Sequence, residues 1–266
     1  MADALTPRQS DTGLGDAPRI GPVPIGFAAD LSAAATAVLN QPTVALVTIV
    51  LCALPALVPS TLPSRAHVSP WVLVGAIAMV VFLCGWTGAE RIFFLGQFQG
   101  EPVSLRHLLV LAKAFTGRFV TLGLVAIATF IPYGVLLAII LRGAMPKEHR
   151  PAFRVATAIF VVALDLALTF VPAALAFTTR SVTSAIRIGL AMIRETWPRS
   201  ALYVVCPMLA LKMNGLVYTG DLPVLRLIVA ASLALFSLLA KGATVAFYLR
   251  QRPGACGDGA AYLQDG

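Results

Sequence analysis

Asp165 is the residue best placed to do chemistry. It stands about twelve residues from either end of an apolar run, 153–177. At about 1.5 Å per residue that is the middle of a hydrocarbon core roughly 30 Å thick. A charge at that depth costs at least about 2.5–3.5 kcal/mol to insert. The carboxyl group must therefore be protonated, paired, or open to an aqueous cavity. Lys212 and Lys241 lie inside later apolar runs and are the candidate partners. Each is also long enough to snorkel towards an interface. Asp165, Lys212 and Lys241 together form a candidate intramembrane polar site, suited to proton-coupled transport.

Covalent catalysis has no comparable foothold. There is no Walker loop, no His-Glu-x-x-His and no Gly-x-Ser-x-Gly. His67, His107 and His149 fall in three separate loops without ligand spacing, so neither a metal nor a cofactor is implied. Cys52, Cys84 and Cys206 sit in apolar runs and Cys256 near the carboxyl terminus, with no disulfide or zinc pattern. Glu90 and Arg91 close an apolar run and read as a solvated interfacial pair. An intramembrane enzyme needs two convergent reactive groups, whereas one central acid is visible.

The elements that must position these residues follow from composition. The chain is 58% hydrophobic and 12% charged, with mean hydropathy +0.86. Soluble domains carry about 25% charged residues. The expectation is an all-α integral membrane bundle of six transmembrane helices, arranged as three hairpins, each preceded by an amphipathic interfacial helix. The spans fall at about 43–58, 71–89, 119–141, 153–177, 201–218 and 222–249. Residues 1–25 are rich in Pro, Gly and Asp and read as a disordered segment before the membrane domain, 26–250. Residues 251–266 read as a loose tail.

The interfacial helices carry the surface chemistry. Phe27, Leu31, Ala34 and Val38 form an apolar stripe, with Asp30 off it. Arg106 and Lys113 share one face of a basic segment, 105–118, ahead of a span broken late by Pro132. Arg180, Arg187 and Arg194 share a face opposite Val182, Ile186, Gly189, Leu190, Ile193 and Trp197, the clearest amphipathic helix in the chain. These five cations are the expected contacts to anionic lipid head groups, which with the bilayer are the expected partners. The net charge of +8 has no aromatic-interleaved cluster that would point to nucleic acid.

A threefold internal repeat is expected. Interfacial segments start near Leu31, Leu105 and Val182, with Pro55, Pro132 and Pro207 following 24, 27 and 25 residues later. The second helices end alike, at Ala89-Glu90-Arg91-Ile92-Phe93, Ala173-Ala174-Leu175-Ala176-Phe177 and Ala243-Thr244-Val245-Ala246-Phe247. The run Arg91-Ile92-Phe93-Phe94, then Gly100-Glu101-Pro102-Val103-Ser104-Leu105 and a basic helix, resembles a group of largely uncharacterised bacterial polytopic membrane families. Among them is the membrane domain attached to some glycerophosphodiester phosphodiesterases. The resemblance covers about 27–249 and implies the fold. The phosphodiesterase activity is not carried over, because the acidic pairs and histidines it requires are not here.

Twelve Lys and Arg residues lie in the amino-terminal segment, the second and fourth loops and the tail, against six on the other side. By the positive-inside rule both termini are cytoplasmic, in a multi-pass protein of the inner (plasma) membrane. Two functions are compatible with this pattern. One is a structural or accessory membrane component without chemistry of its own. The other is a small transporter or lipid-handling permease that uses Asp165. A polar cavity reaching Asp165 favours the second, and a dry core favours the first.

Overall fold

A computed structural model describes residues 26–57, 70–139, 159–160, 162–207 and 223–252. Among these residues every regular element is helical. The helices are α1 (Phe27–Asn40), α2 (Pro42–Leu57), α3 (Pro70–Gln99), α4 (Leu105–Ile139), α5 (Val171–Phe177), α6 (Val182–Thr196) and α7 (Pro223–Gln251). Residues 162–168 and 201–207 are also helical. Lys212, His67, His149 and Cys256 lie outside the described residues.

Among the described residues three helices are long and apolar enough to cross a membrane, within α3, α4 and α7. A fourth span is possible if α1 and the start of α2, bent by 97°, count as one broken span. The need for lipid is visible in the packing. Only 22% of the apolar window of α3 and 17% of that of α4 is buried within the protein. Trp71, Val72, Leu73, Val74, Ile77 and Val80 on α3, and Leu124, Ile127 and Ile131 on α4, are all exposed. Apolar surface this continuous exceeds what a soluble monomer leaves in water.

Proline placement decides where the interfacial segments part from the spans. Pro42 and Pro198 lie at breaks in the helical path, at Gln41 and at Trp197–Ser200. No proline occurs between Leu105 and Ile131. There the expected interfacial helix 105–118 and span 119–141 form one unbroken helix of 35 residues. That helix also continues through Pro132, expected to break it. A proline removes one ladder bond and clashes with the preceding turn, which a transmembrane helix can absorb by local adjustment. The expected span 153–177 is interrupted at Thr169–Phe170, just before Pro172 at the start of α5.

The core forms around the second half of α3. From Gly85 to Gly96 nearly every side chain is enclosed, including Glu90 and Arg91. α4 lies along α3 in the most extensive helix contact. α7 packs on α1, α2 and α3, while α5 packs on α3 and α6. The three similar pentapeptides ending at Phe93, Phe177 and Phe247 are buried almost throughout. Their first members Ala89, Ala173 and Ala243 are fully enclosed, and such small residues let helix backbones approach.

Glycine sets the α3–α4 distance. A Cβ at Gly88 would lie 2.7–2.8 Å from atoms of Phe115 and Phe119, and one at Gly85 would strike the Ala112 carbonyl of α4. Gly75, on the same helix, has open space around it. Gly85→Ala should therefore cost about 1–3 kcal/mol through overpacking. Gly75→Ala should be neutral or slightly stabilising, by helix propensity. Thermal unfolding in detergent compares them, and equal melting temperatures for the two variants would contradict this packing.

Candidate functional site

Two buried polar clusters hold the helices together. In the first, Glu90 of α3 is 1% exposed and pairs through Oε2 with Nζ of Lys241 on α7, at 2.7 Å. Its Oε1 accepts from the Thr48 hydroxyl of α2 at 3.0 Å. That same hydroxyl oxygen accepts from the Trp86 indole Nε1 at 2.9 Å. The relay is ordered, because the indole can only donate and a carboxylate only accept. Three helices are thus joined at one carboxylate.

In the second cluster, Asp30 of α1 is fully enclosed. It takes a hydrogen bond from the Tyr203 hydroxyl and an ion pair from Arg250, near the end of α7. The Tyr203 ring stands edge-on to Phe27 and lies 4.3 Å, centroid to centroid, from Phe247. Asp30 therefore ties the first helix to the last. A third contact pins the bend between α1 and α2. Gln41 Nε2 donates to the Val103 carbonyl at 2.8 Å, while Gln97 Nε2 donates to Gln41 Oε1 at 3.1 Å.

Beside the first cluster is a cavity of about 320 Å³. Its charged lining is Arg91, Asp165 and Lys241, and Thr169, Ser237 and Thr244 add hydroxyls. Asp165 is held near the end of the helical residues 162–168, and the Thr169 hydroxyl donates to its backbone carbonyl at 2.9 Å. Arg91 is 6% exposed. Its Nη1 donates to the Thr87 carbonyl at 2.5 Å, one turn back on α3.

The structure therefore brings together two of the three residues expected from sequence. Asp165 and Lys241 line one cavity, together with Arg91 of α3. The ammonium of Lys241 is engaged by Glu90. Glu90 and Arg91 correct the expectation of a solvated interfacial pair, since both are enclosed well inside a 30-residue helix. The apolar run Ile92-Phe93-Phe94-Leu95 directly after them was the available signal. A charge pair with apolar residues on both sides and no polar face lies inside a bundle rather than at its edge. Asp30, Thr48, Tyr203 and Arg250 carried no such signal, because their partners are 220 residues or fewer away with no local pattern.

Arg106, Lys113, Arg180, Arg187 and Arg194 are all exposed. α6 rests on α5 through Ala185, Gly189 and Met192, while Leu190 and Trp197 stay exposed near the arginines. Gly189 permits the approach, since a Cβ there would lie 2.8 Å from Val171 Cγ2.

Breaking one side of a buried pair leaves the other charge uncompensated, at about 3–5 kcal/mol. Lys241 is 27% exposed, which places Lys241→Met at the lower end, about 3 kcal/mol. The double variant Glu90→Gln/Lys241→Met should recover much of that loss, and a double-mutant cycle in detergent measures the coupling. Additive losses would mean that the two charges do not interact. The role of these groups rests on their geometry, because no family model, no curated protein and no solved structure matches the chain.

Proposed function

We propose that the protein is a small membrane permease that admits a polar solute or a lipid head group to the cavity between Arg91, Asp165 and Lys241. The observation that carries this reading is the cavity itself. A structural or accessory component is served by a dry core, and a core opening with three ionisable side chains and three hydroxyls is costly to keep in a membrane without a use. The lining supports reversible binding rather than covalent chemistry. It offers charges and hydroxyls but no nucleophile beside a base.

The fold that goes with this function is six spans in three hairpins, the basic segment 105–118 running on into the third span as one helix. Burial of the three similar pentapeptides at the centre supports a threefold repeat, and repeats of this kind are common in transporters. Both termini then lie in the cytoplasm. The same sidedness sets Arg106, Lys113, Arg180, Arg187 and Arg194 against the cytoplasmic leaflet, where each contributes about 1 kcal/mol of attraction to anionic lipid. Topology reporters fused after Arg142 and after Arg250 should read opposite sides of the inner membrane. Equal readings would remove both the six-span arrangement and the lipid contacts.

The permease reading is tested by water access. Cys52, Cys84, Cys206 and Cys256 are replaced by alanine in the full chain, and single cysteines are placed at Thr169, Ser237 or Leu124. In sealed proteoliposomes, a hydrophilic methanethiosulfonate should modify the first two from at least one side. Leu124, exposed on the lipid-facing part of α4, should stay unmodified. No reaction at either cavity position would return the protein to the accessory role.

A further inference from the structure

The two fully enclosed carboxylates are already committed. Glu90 is held by Lys241 and Thr48, and Asp30 by Arg250 and Tyr203. Arg91 is different. Among the described residues no carboxylate oxygen comes within 4.0 Å of its guanidinium. Its one hydrogen bond is to the Thr87 carbonyl. The charge of the neighbouring Glu90 acts on Arg91 from a distance, but a guanidinium has five N–H donors in a planar fork, and buried donors left unmet are expensive. Arg91 is more than nine-tenths buried and lines the cavity, so that is where its remaining donors can be met.

We infer that the cavity is an oxyanion site, taking a carboxylate or phosphate group against Arg91, with Lys241 as a second cation that Glu90 holds until the anion arrives. This rests on the permease reading and adds the class of ligand. The guanidinium fork matches the two oxygens of a carboxylate or phosphate, and a lysine acts beside it as a point charge. Lys241 already touches both parties, bonded to Glu90 and lining the cavity. An entering anion competes with Glu90 for the ammonium, while Thr48 stays on the Glu90 carboxylate. Asp165 also lines the cavity and has an interaction of its own. A volume of about 320 Å³ is at the small end of ligand pockets. It fits a small carboxylate, a phosphate monoester or a phospholipid head group, and not acyl chains.

The test uses the cysteine at Ser237 in the full chain, reconstituted in phosphatidylcholine liposomes. Its reaction rates with an anionic and a cationic methanethiosulfonate are each divided by that reagent's rate with a free thiol. The anionic reagent should be favoured about tenfold, as expected for one buried cation acting at short range. Arg91→Gln should abolish the preference, and Glu90→Gln should increase it by freeing Lys241. Arg91→Lys should keep the preference but lose protection by phosphate, because the fork is gone. Protection of the wild-type site by inorganic phosphate or acetate identifies a soluble anion. Protection only when phosphatidylglycerol is in the bilayer identifies a lipid head group. Equal normalised rates, a preference that survives Arg91→Gln, or no protection by any of the three overturns the anion site while access itself stands. No reaction with either reagent overturns the site and the permease reading together.

Discussion

The Glu90–Lys241 ion pair is the constraint on which the remaining arrangement depends. A carboxylate enclosed in a membrane bundle must be matched, and the match fixes α3, α7 and α2 to one another at a point. Several positions around the pair are small. Gly85 and Gly88 let α4 close on α3, and Gly242, beside Lys241, lies where a Cβ would meet Phe94 and Ala34 at 2.7 Å. The low bulk of these positions brings the backbones near enough for a lysine to reach across. The pair is thus a consequence of close helix packing as much as its cause.

The fold was legible in the sequence to the extent that it depends on runs and prolines. Apolar runs located α2, α3, α4 and α7, and the amphipathic stripe located α6 with its arginines outward. The breaks are less legible: the helix runs unbroken past Phe119 and on through Pro132. With no proline before Pro132, a change from basic to apolar composition near Phe119 leaves the helix intact, because both compositions suit a helix. The polar site was legible in part. Asp165 and Lys241 stand out as charges in apolar runs, and that local contrast survives folding. Glu90 and Arg91 were misread because distance to a helix end was judged from the apolar run. The helix itself goes on past them through Gln99.

Asp30 shows what no local reading can find. Nothing near it in sequence distinguishes it from a solvated acid at the start of a helix. Its burial is created by Arg250 and Tyr203, which arrive from the far end of the chain. This contact closes the described helices on one another, for α7 packs against α1 and α2. A bundle closed in this way can enclose polar residues that an open row of hairpins would leave facing lipid.

The cavity lined by Arg91, Asp165 and Lys241 lies where several helical segments meet. Its walls include Thr169 and Pro172, at the interruption between 162–168 and α5, and Val204 and Pro207 in the helical segment that follows the Trp197–Ser200 break. The bend at Gln41, by contrast, is clamped to α3 and to the turn before α4 by two side-chain hydrogen bonds. One wall of the site, with Arg91 and Lys241, thus belongs to α3 and α7, which the Glu90 ion pair joins, and the rest is built from residues beside the two interruptions in the helical path.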